Sequence, residues 1–222
     1  FPNISGADLR QFAIPWPTAD ERRRVADLLD VLDGSLGSAR AVRKLALSTA
    51  HCLLEIAPAN CSVADLASSR RVSFVPLRHP GEMVDHFSLP AFDAGATPEH
   101  VRAESIASNK LLIENPCVLV SKLNPHTNRT WLVKPRPDAQ WSACSTEYVV
   151  LEPSTVTLYA LFAAVSPDDV GDALAAATTG TSASHQRITV EEVLSATVPD
   201  PRSLDTAAQE ELETLVSLYW VK

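Results

Sequence analysis

The stretch TADERRRVADLLDVLDGSLGSARAVRKLALSTAHCLLEI, residues 18–56, decides how the chain is read. Thr18 followed three residues later by Glu21 is a capping box, which marks a helix start. Apolar residues then recur at Val25, Leu28 and Leu29, Leu32, Leu36, Ala39, Val42, Ala46, Ala50 and Leu53. The spacing alternates threes and fours and places one narrow stripe on one side of a helix. Arg22, Arg23, Arg24, Asp27, Asp30, Arg40, Arg43 and Lys44 fall mostly off that stripe. At ~1.5 Å per residue a continuous helix over 18–56 would span roughly 58 Å. A globular core seldom needs such a rod, and a narrow stripe suits a partner helix. The plainer alternative is an amphipathic helix lying on its own domain. Gly34 and Gly37 each cost ~1 kcal/mol relative to Ala and are the expected places for a break or hinge.

Outward from this helix, composition sets bounds. The chain has 222 residues, room for one domain or two, and 45% hydrophobic residues, enough for a core. No apolar run approaches the ~18 residues of a membrane span. The opening FPNISGADLR lacks the basic-then-apolar pattern of a signal peptide, and a start at Phe1 reads as a piece of a longer protein. Cys52, Cys61, Cys117 and Cys144 make no CxxC pair, which argues against a metal site and fits reduced cytoplasmic thiols. The N-x-S/T triplets at Asn3, Asn60 and Asn128 are then chance matches. A net charge of −8 argues against a generic basic nucleic-acid binder. Within 105–148, however, Lys110, Lys122, Arg129, Lys134 and Arg136 outnumber Glu114, Asp138 and Glu147, so any anion-binding surface is local.

After Pro58 and Asn60 the pattern becomes shorter and mixed. VADLASSRR (63–71) reads as a brief helix into a turn, and HFSLPAF (86–92) as an extended segment. SNKLLI (108–113), CVLVSKL (117–123), RTWLVKP (129–135) and STEYVVLEP (145–153) read as strands, bounded by Asn-Pro or Pro. Residues 156–165 and 168–179 read as helices, TTGTSASHQR (178–187) as a polar loop, and 188–194 as a short helix or turn. Residues 205–222 open another amphipathic helix through Leu212, Leu215, Val216 and Tyr219. The fold class is α+β, a globular mixed α/β domain with a long helical arm.

The two ends of the chain match. Ile4–Leu9 pairs with Ile188–Val193, and Ile14-Pro15-Trp16-Pro17 with Val198-Pro199-Asp200-Pro201, both 184 residues apart. Val25, Leu28, Leu29 and Leu32 then align with Leu212, Leu215, Val216 and Tyr219 at an offset of 187. Apolar positions, prolines and helix stripe in one order indicate an internal repeat: domain, strand with a proline exit, long helix.

Catalytic chemistry has no good home. Ser184 or Ser182 with His185 would be a nucleophile and base, but nothing resembles GxSxG. Thr179-Gly180-Thr181-Ser182 lacks the phosphate-loop pattern, and the six histidines show no ligand-like pairing. The polar loops suit a nucleic-acid duplex better. Asn and Gln pair with adenine, Arg and Lys with guanine, and Ser and Thr hold phosphate oxygens. Asn109, Lys110, Lys122, Asn124, Asn128, Arg129, Thr181, Ser182, Ser184, His185, Gln186 and Arg187 supply that mixture. For each residue alone, a solvated loop side chain is the favoured reading. Glu147, beside strand residues, reads as a group that orients a basic side chain.

SLPAFDAG (88–95), SNKLLI, VSKLNPHTNRTWLV (120–133), STEYVVLEP and GTSASHQRI (180–188) resemble the target-recognition domain of type I restriction–modification specificity subunits. IPWPTADERRRVADLLDVLD (14–33) is similar to that family's conserved helical region, with Trp16-Pro17 in place of a double proline and Glu21-Arg22 in place of Glu-Gln. The resemblance implies four segments: 1–17 the tail of a preceding recognition domain, 18–58 a spacer helix, 61–203 a recognition domain, and 204–222 the start of a second conserved helix. It implies antiparallel, coiled-coil-type pairing of the spacer helices, and reading of one half of a bipartite site in double-stranded DNA. Modification (methyltransferase) subunits that hold S-adenosylmethionine are implied as partners, as is a restriction or motor subunit that cuts. The chain itself would be non-catalytic, bind no cofactor and work in the cytoplasm. A half-size subunit that pairs with itself is an alternative. The competing function is a helical scaffold that reads no DNA.

Overall fold

The computed structural model describes residues 17–177 and 187–220. The chain divides into two compact units, Phe1–Val42 and Arg43–Lys222. The first unit is described from Pro17, and it is helical from Ala19. This is the beginning of α1 (Ala19–Glu55), whose entry is the expected capping box. Thr18 N–H donates to Glu21 Oε2 at 2.8 Å and Glu21 N–H to Thr18 Oγ1 at 3.3 Å. Val25, Leu28, Leu29, Leu32 and Leu36 are exposed. α1 does not break at Gly34 or Gly37, and a Cβ at either would meet nothing within 4 Å.

In the second unit the last turns of α1 bury Ala46, Ala50 and Leu54. The chain then runs through β1 (Asn60–Ser62), α2 (Val63–Leu66), β2 (Ala67–Ser69), β3 (Ser73–Phe74), β4 (Met83–Phe87), α3 (Leu89–Asp93) and β5 (Glu99–Arg102). It continues with β6 (Lys110–Leu112), β7 (Cys117–Ser121), β8 (Thr130–Val133), β9 (Trp141–Cys144) and β10 (Tyr148–Pro153). Helices α4 (Leu158–Val165), α5 (Asp168–Ala177) and α6 (Val190–Ser195), then β11 (Thr197–Pro199) and α7 (Thr206–Trp220), complete it.

Three sheets result. One is an antiparallel sheet of order β2-β10-β7-β8; another is a five-stranded sheet of order β3-β6-β9-β4-β5. In the latter β4 and β9 run parallel and the other pairs antiparallel. A third, two-stranded sheet joins β1 to β11, pairing Cys61 with Val198, and so ties the start of the domain to its proline exit.

β7 explains the layering. A strand alternates its side chains between faces, yet Cys117, Val118, Leu119 and Val120 are all buried. Val118 and Val120 join Leu132, Val149 and Leu151 in a core with the end of α1, α4 and α7. Cys117 and Leu119 join Trp131, Val133, Tyr148 and Val150, which meet Phe87, Leu111 and Cys144 of the five-stranded sheet. A strand covered on both faces carries a continuous apolar run, which is why CVLVS shows no alternation.

Two local readings change. HFSLPAF is not extended throughout: β4 ends at Phe87, and Leu89–Asp93 is helical because Ser88 Oγ accepts from Ala91 N–H and Pro90 sits in the first turn. SNKLLI is strand only over Lys110–Leu112. The capping pair Thr189 and Glu192 starts α6, with Glu192 N–H donating to Thr189 Oγ1 at 3.1 Å. The expectation for residues 1–16, and with it Ile4–Leu9 and Ile14–Trp16 of the repeat, lies outside the described residues. Among the described residues no helix is long and apolar enough to cross a membrane.

Candidate nucleic-acid interface

Strand register gathers three polar turns at one end of the sheets. β7 finishes at Ser121, opposite Tyr148 of β10. The turn between β9 and β10 carries Ser145, Thr146 and Glu147. β6 begins at Lys110, and Leu111 opposite Cys144 brings the Ser108–Lys110 turn beside that connection.

Backbone hydrogen bonds then stitch in Arg187. Lys122 N–H donates to the Glu147 carbonyl at 2.7 Å, and Ile188 N–H donates to the Lys122 carbonyl at 2.9 Å. Leu123 and Arg187 form an antiparallel bridge. The Arg187 guanidinium is ion-paired with the Glu147 carboxylate. Glu147 therefore does orient a basic side chain, as its place in the strand turn suggested.

The cations here are not equivalent. Lys122 is half-buried, and its ammonium has no hydrogen bond or ion pair among the described residues. Burial pushes it below the ordinary lysine range; Glu147 opposes that shift, while Arg187 and Arg71 reinforce it. Arg187 is 60% exposed and Arg71 is exposed. Lys110 differs: it is buried at 8% exposure, and its ammonium donates to Ser108 O at 2.9 Å and Ser108 Oγ at 2.6 Å. Its burial also lowers its pKa. Lys110 thus fixes the Ser108 turn and leaves Asn109 exposed between them.

The loop Leu123–Asn128 is built from unusual backbone. Asn124 adopts φ 51°, in the left-handed region that Asn tolerates better than most residues. Thr127 N–H closes the turn on the Asn124 carbonyl at 2.8 Å. The Asn124 Oδ1 is buried without a hydrogen-bond partner. Asn128 anchors the loop: its amide donates to the Ser166 carbonyl and to Asp168 Oδ1 at 3.1 Å, and its Oδ1 accepts from Thr130 Oγ1 at 2.7 Å. On α5, Gly171 permits close approach, since a Cβ there would lie 2.9 Å from the Pro125 carbonyl oxygen.

Arg129 donates from Nε and Nη2 to the two carboxylate oxygens of Asp93. Asn128 and Arg129 therefore spend their polar groups inside the domain, whereas Lys122, Asn124, Asn109 and Arg187 lie on or beside the turns at that end of the sheets. Thr181, Ser182, Ser184, His185 and Gln186 lie outside the described residues, and with them both Ser–His pairs. Among the described residues no group of three His, Cys, Asp or Glu side chains is placed to hold a metal ion. All four cysteines are free thiols. Sequence reasoning passed over Arg71. The Arg70-Arg71 doublet before β3 was the available signal, but its neighbourhood to Lys122 is a tertiary fact.

No protein-family model and no curated protein matches the chain. Solved structures do. A type-I restriction-modification system S subunit from M. genitalium matches with TM-score 0.60 at 13% identity, over 98% of this chain and 59% of that one. A chain from a structure of the type I R-M system matches with TM-score 0.52 at 18% identity, over 69% of this chain and 39% of that one. At these identities the similarity is one of fold, and this chain spans only part of each structure's length.

Proposed function

We propose that this chain is a sequence-recognition component of a type I restriction–modification complex, reading one half of a bipartite site in double-stranded DNA. The observation that carries the reading is the convergence of three polar turns and Arg187 at one end of the sheets, with a half-buried Lys122 among them that is unpaired among the described residues. The fold shared with an S subunit supports it. In this reading Lys122, Asn109, Asn124 and Arg187 touch DNA, together with Thr181, Ser182, Ser184, His185 and Gln186. Asn128, Arg129 and Lys110 hold the loops in shape for them.

Residues 61–203 form the recognition domain and α1 the spacer, with its exposed stripe docking against a second helical segment and against the methyltransferase subunits. The chain is non-catalytic; S-adenosylmethionine binds in the methyltransferase partner and cleavage belongs to a restriction subunit. Self-association through the helices would serve if the chain acts as a half-subunit in the cytoplasm. The test is methylation of the cognate DNA by the complex assembled from this chain and its host's methyltransferase subunits. Lys122→Ala and Arg187→Ala should each lower the methylation rate roughly tenfold or more, as loss of a base or phosphate contact does, with assembly intact. Normal methylation by both variants removes these loops from the DNA interface and favours the scaffold reading.

A further inference from the structure

We infer that Glu147, with Lys122 and Arg187, specifies a G·C base pair in the recognised DNA, its carboxylate accepting from the cytosine N4 amine while the cations donate to guanine O6 and N7. This rests on the reading of the chain as a DNA-recognition subunit.

The carboxylate has one oxygen in use. Oε1 is taken by Arg187, while Oε2 is buried with no hydrogen-bond partner among the described residues. A buried acceptor left without a donor is costly and rare, and such an atom in a native fold calls for an explanation. Beside it, Lys122 is a half-buried donor with no partner among the described residues. The site thus holds, among the described residues, a buried acceptor without a donor and a half-buried ammonium that is not paired with it. Of the neighbouring polar groups, Ser121 Oγ is engaged with the Leu123 backbone, Ser145 Oγ with Glu147 N–H and Lys110 with Ser108, while the Tyr148 hydroxyl and Asn124 Oδ1 are buried without a partner among the described residues.

A contact to phosphate alone would account for Lys122, for Arg187 and for Glu147 Oε1, which orients Arg187, but not for the second carboxylate oxygen, whose charge repels a phosphate. The major-groove edge of a G·C pair presents two acceptors on guanine beside a donor on cytosine, which matches two cations and one carboxylate. An A·T pair fits less well, since adenine turns an N6 donor toward a cation. Arg187 is 60% exposed and held to Glu147 at one oxygen only. Its transfer to guanine uncovers the carboxylate for cytosine.

The experiment is selection from a randomised double-stranded DNA library by the assembled complex, followed by affinity measurements on the selected site. Wild type should enrich a G·C pair at one fixed position. Glu147→Gln keeps an oxygen for Arg187 and puts an NH2 group in place of Oε2. The variant should lose about tenfold preference for cytosine at that position only. A second arm needs no variant: wild-type protein on a site whose cytosine lacks the N4 amine should bind about tenfold more weakly. Unchanged cytosine preference in Glu147→Gln, or full affinity of wild type for the amine-free site at every G·C pair, overturns the inference. Enrichment of no sequence by wild type is a different result, and it defeats the underlying DNA-recognition reading.

Discussion

Arg129 and Asp93 hold each other by two parallel hydrogen bonds, Nε to Oδ1 at 2.7 Å and Nη2 to Oδ2 at 3.0 Å. The pair ties the start of β8 to the end of α3, and it holds the Asp93 carboxyl below the usual carboxylate range. It separates a structural cation from Lys122, a few residues away, which is unpaired among the described residues. Arg129→Ala should lower stability by about 1 kcal/mol, the scale of a partly exposed charge-assisted bond, while leaving the preferred DNA sequence unchanged. Lys122→Ala should do the reverse. Denaturant midpoints and sequence selection on the two variants check both halves.

A second contrast lies in the two helix starts aligned by the repeat. Leu212 and Val216 of α7 are fully buried against the core that contains α4, but their aligned partners Val25 and Leu29 of α1 are each 54% exposed, and Leu28 beside them is 59% exposed. Leu212→Ala should cost about 2–5 kcal/mol, as core truncations do. Leu28→Ala should lie within about 0.5 kcal/mol for the isolated chain. If the stripe on α1 is covered in the assembled complex, Leu28→Ala should instead weaken assembly, read by co-purification with the partner subunits.

Gly171 offers a test of loop placement without touching a charge. A methyl group there meets the Pro125 carbonyl oxygen at 2.9 Å, and that atom is backbone, which cannot swing aside. Gly171→Ala should cost about 1–3 kcal/mol by overpacking and shift the loop bearing Asn124. The expected result is a lower thermal midpoint together with a fall in methylation larger than that of Arg129→Ala.

Stability should also fall on mild acidification. His51 Nε2 lies 2.9 Å from Ser166 Oγ, and burial holds its pKa below the ordinary histidine value, with Asp168, Asp169 and Glu55 opposing. Burial does the same to His86, reinforced by Lys110 and opposed by Glu99. The unfolded chain takes up these protons near pH ~6.5, the folded chain only at lower pH. The unfolded state therefore binds more protons in that window, and stability declines as pH falls below about 6.5. The lowered carboxylates such as Asp85 add their loss only at more acid pH, nearer their unfolded value of ~3.9. Denaturant midpoints at pH 7.5 and 5.5 should show the drop, and His51→Gln should reduce it; a higher midpoint at pH 5.5 contradicts the assignment.

Local chemistry made much of this fold legible. Thr18 with Glu21 placed the start of α1, and CVLVS with STEYVVLEP announced two central strands because both are apolar runs closed by proline or Asn-Pro. What the sequence could not show was long-range pairing. The parallel contact of Asp85 with Ser142 joins strands 57 residues apart, and β3 has only two residues to signal itself. The site divides the same way. Lys122, Asn124 and Arg187 stood out by residue type, yet Asn128 and Arg129 looked equivalent to them. Their partners Asp168 and Asp93 lie 40 and 36 residues away, and only the folded chain reveals that these side chains are already satisfied.

As proposed above, the chain reads DNA sequence for a methylating complex. Single-molecule methylome sequencing of the host with the gene intact, deleted, and carrying Lys122→Ala tests it most directly. The account predicts a bipartite adenine-methylation mark that disappears on deletion and is strongly depleted in the variant. An identical methylome in all three strains would contradict it.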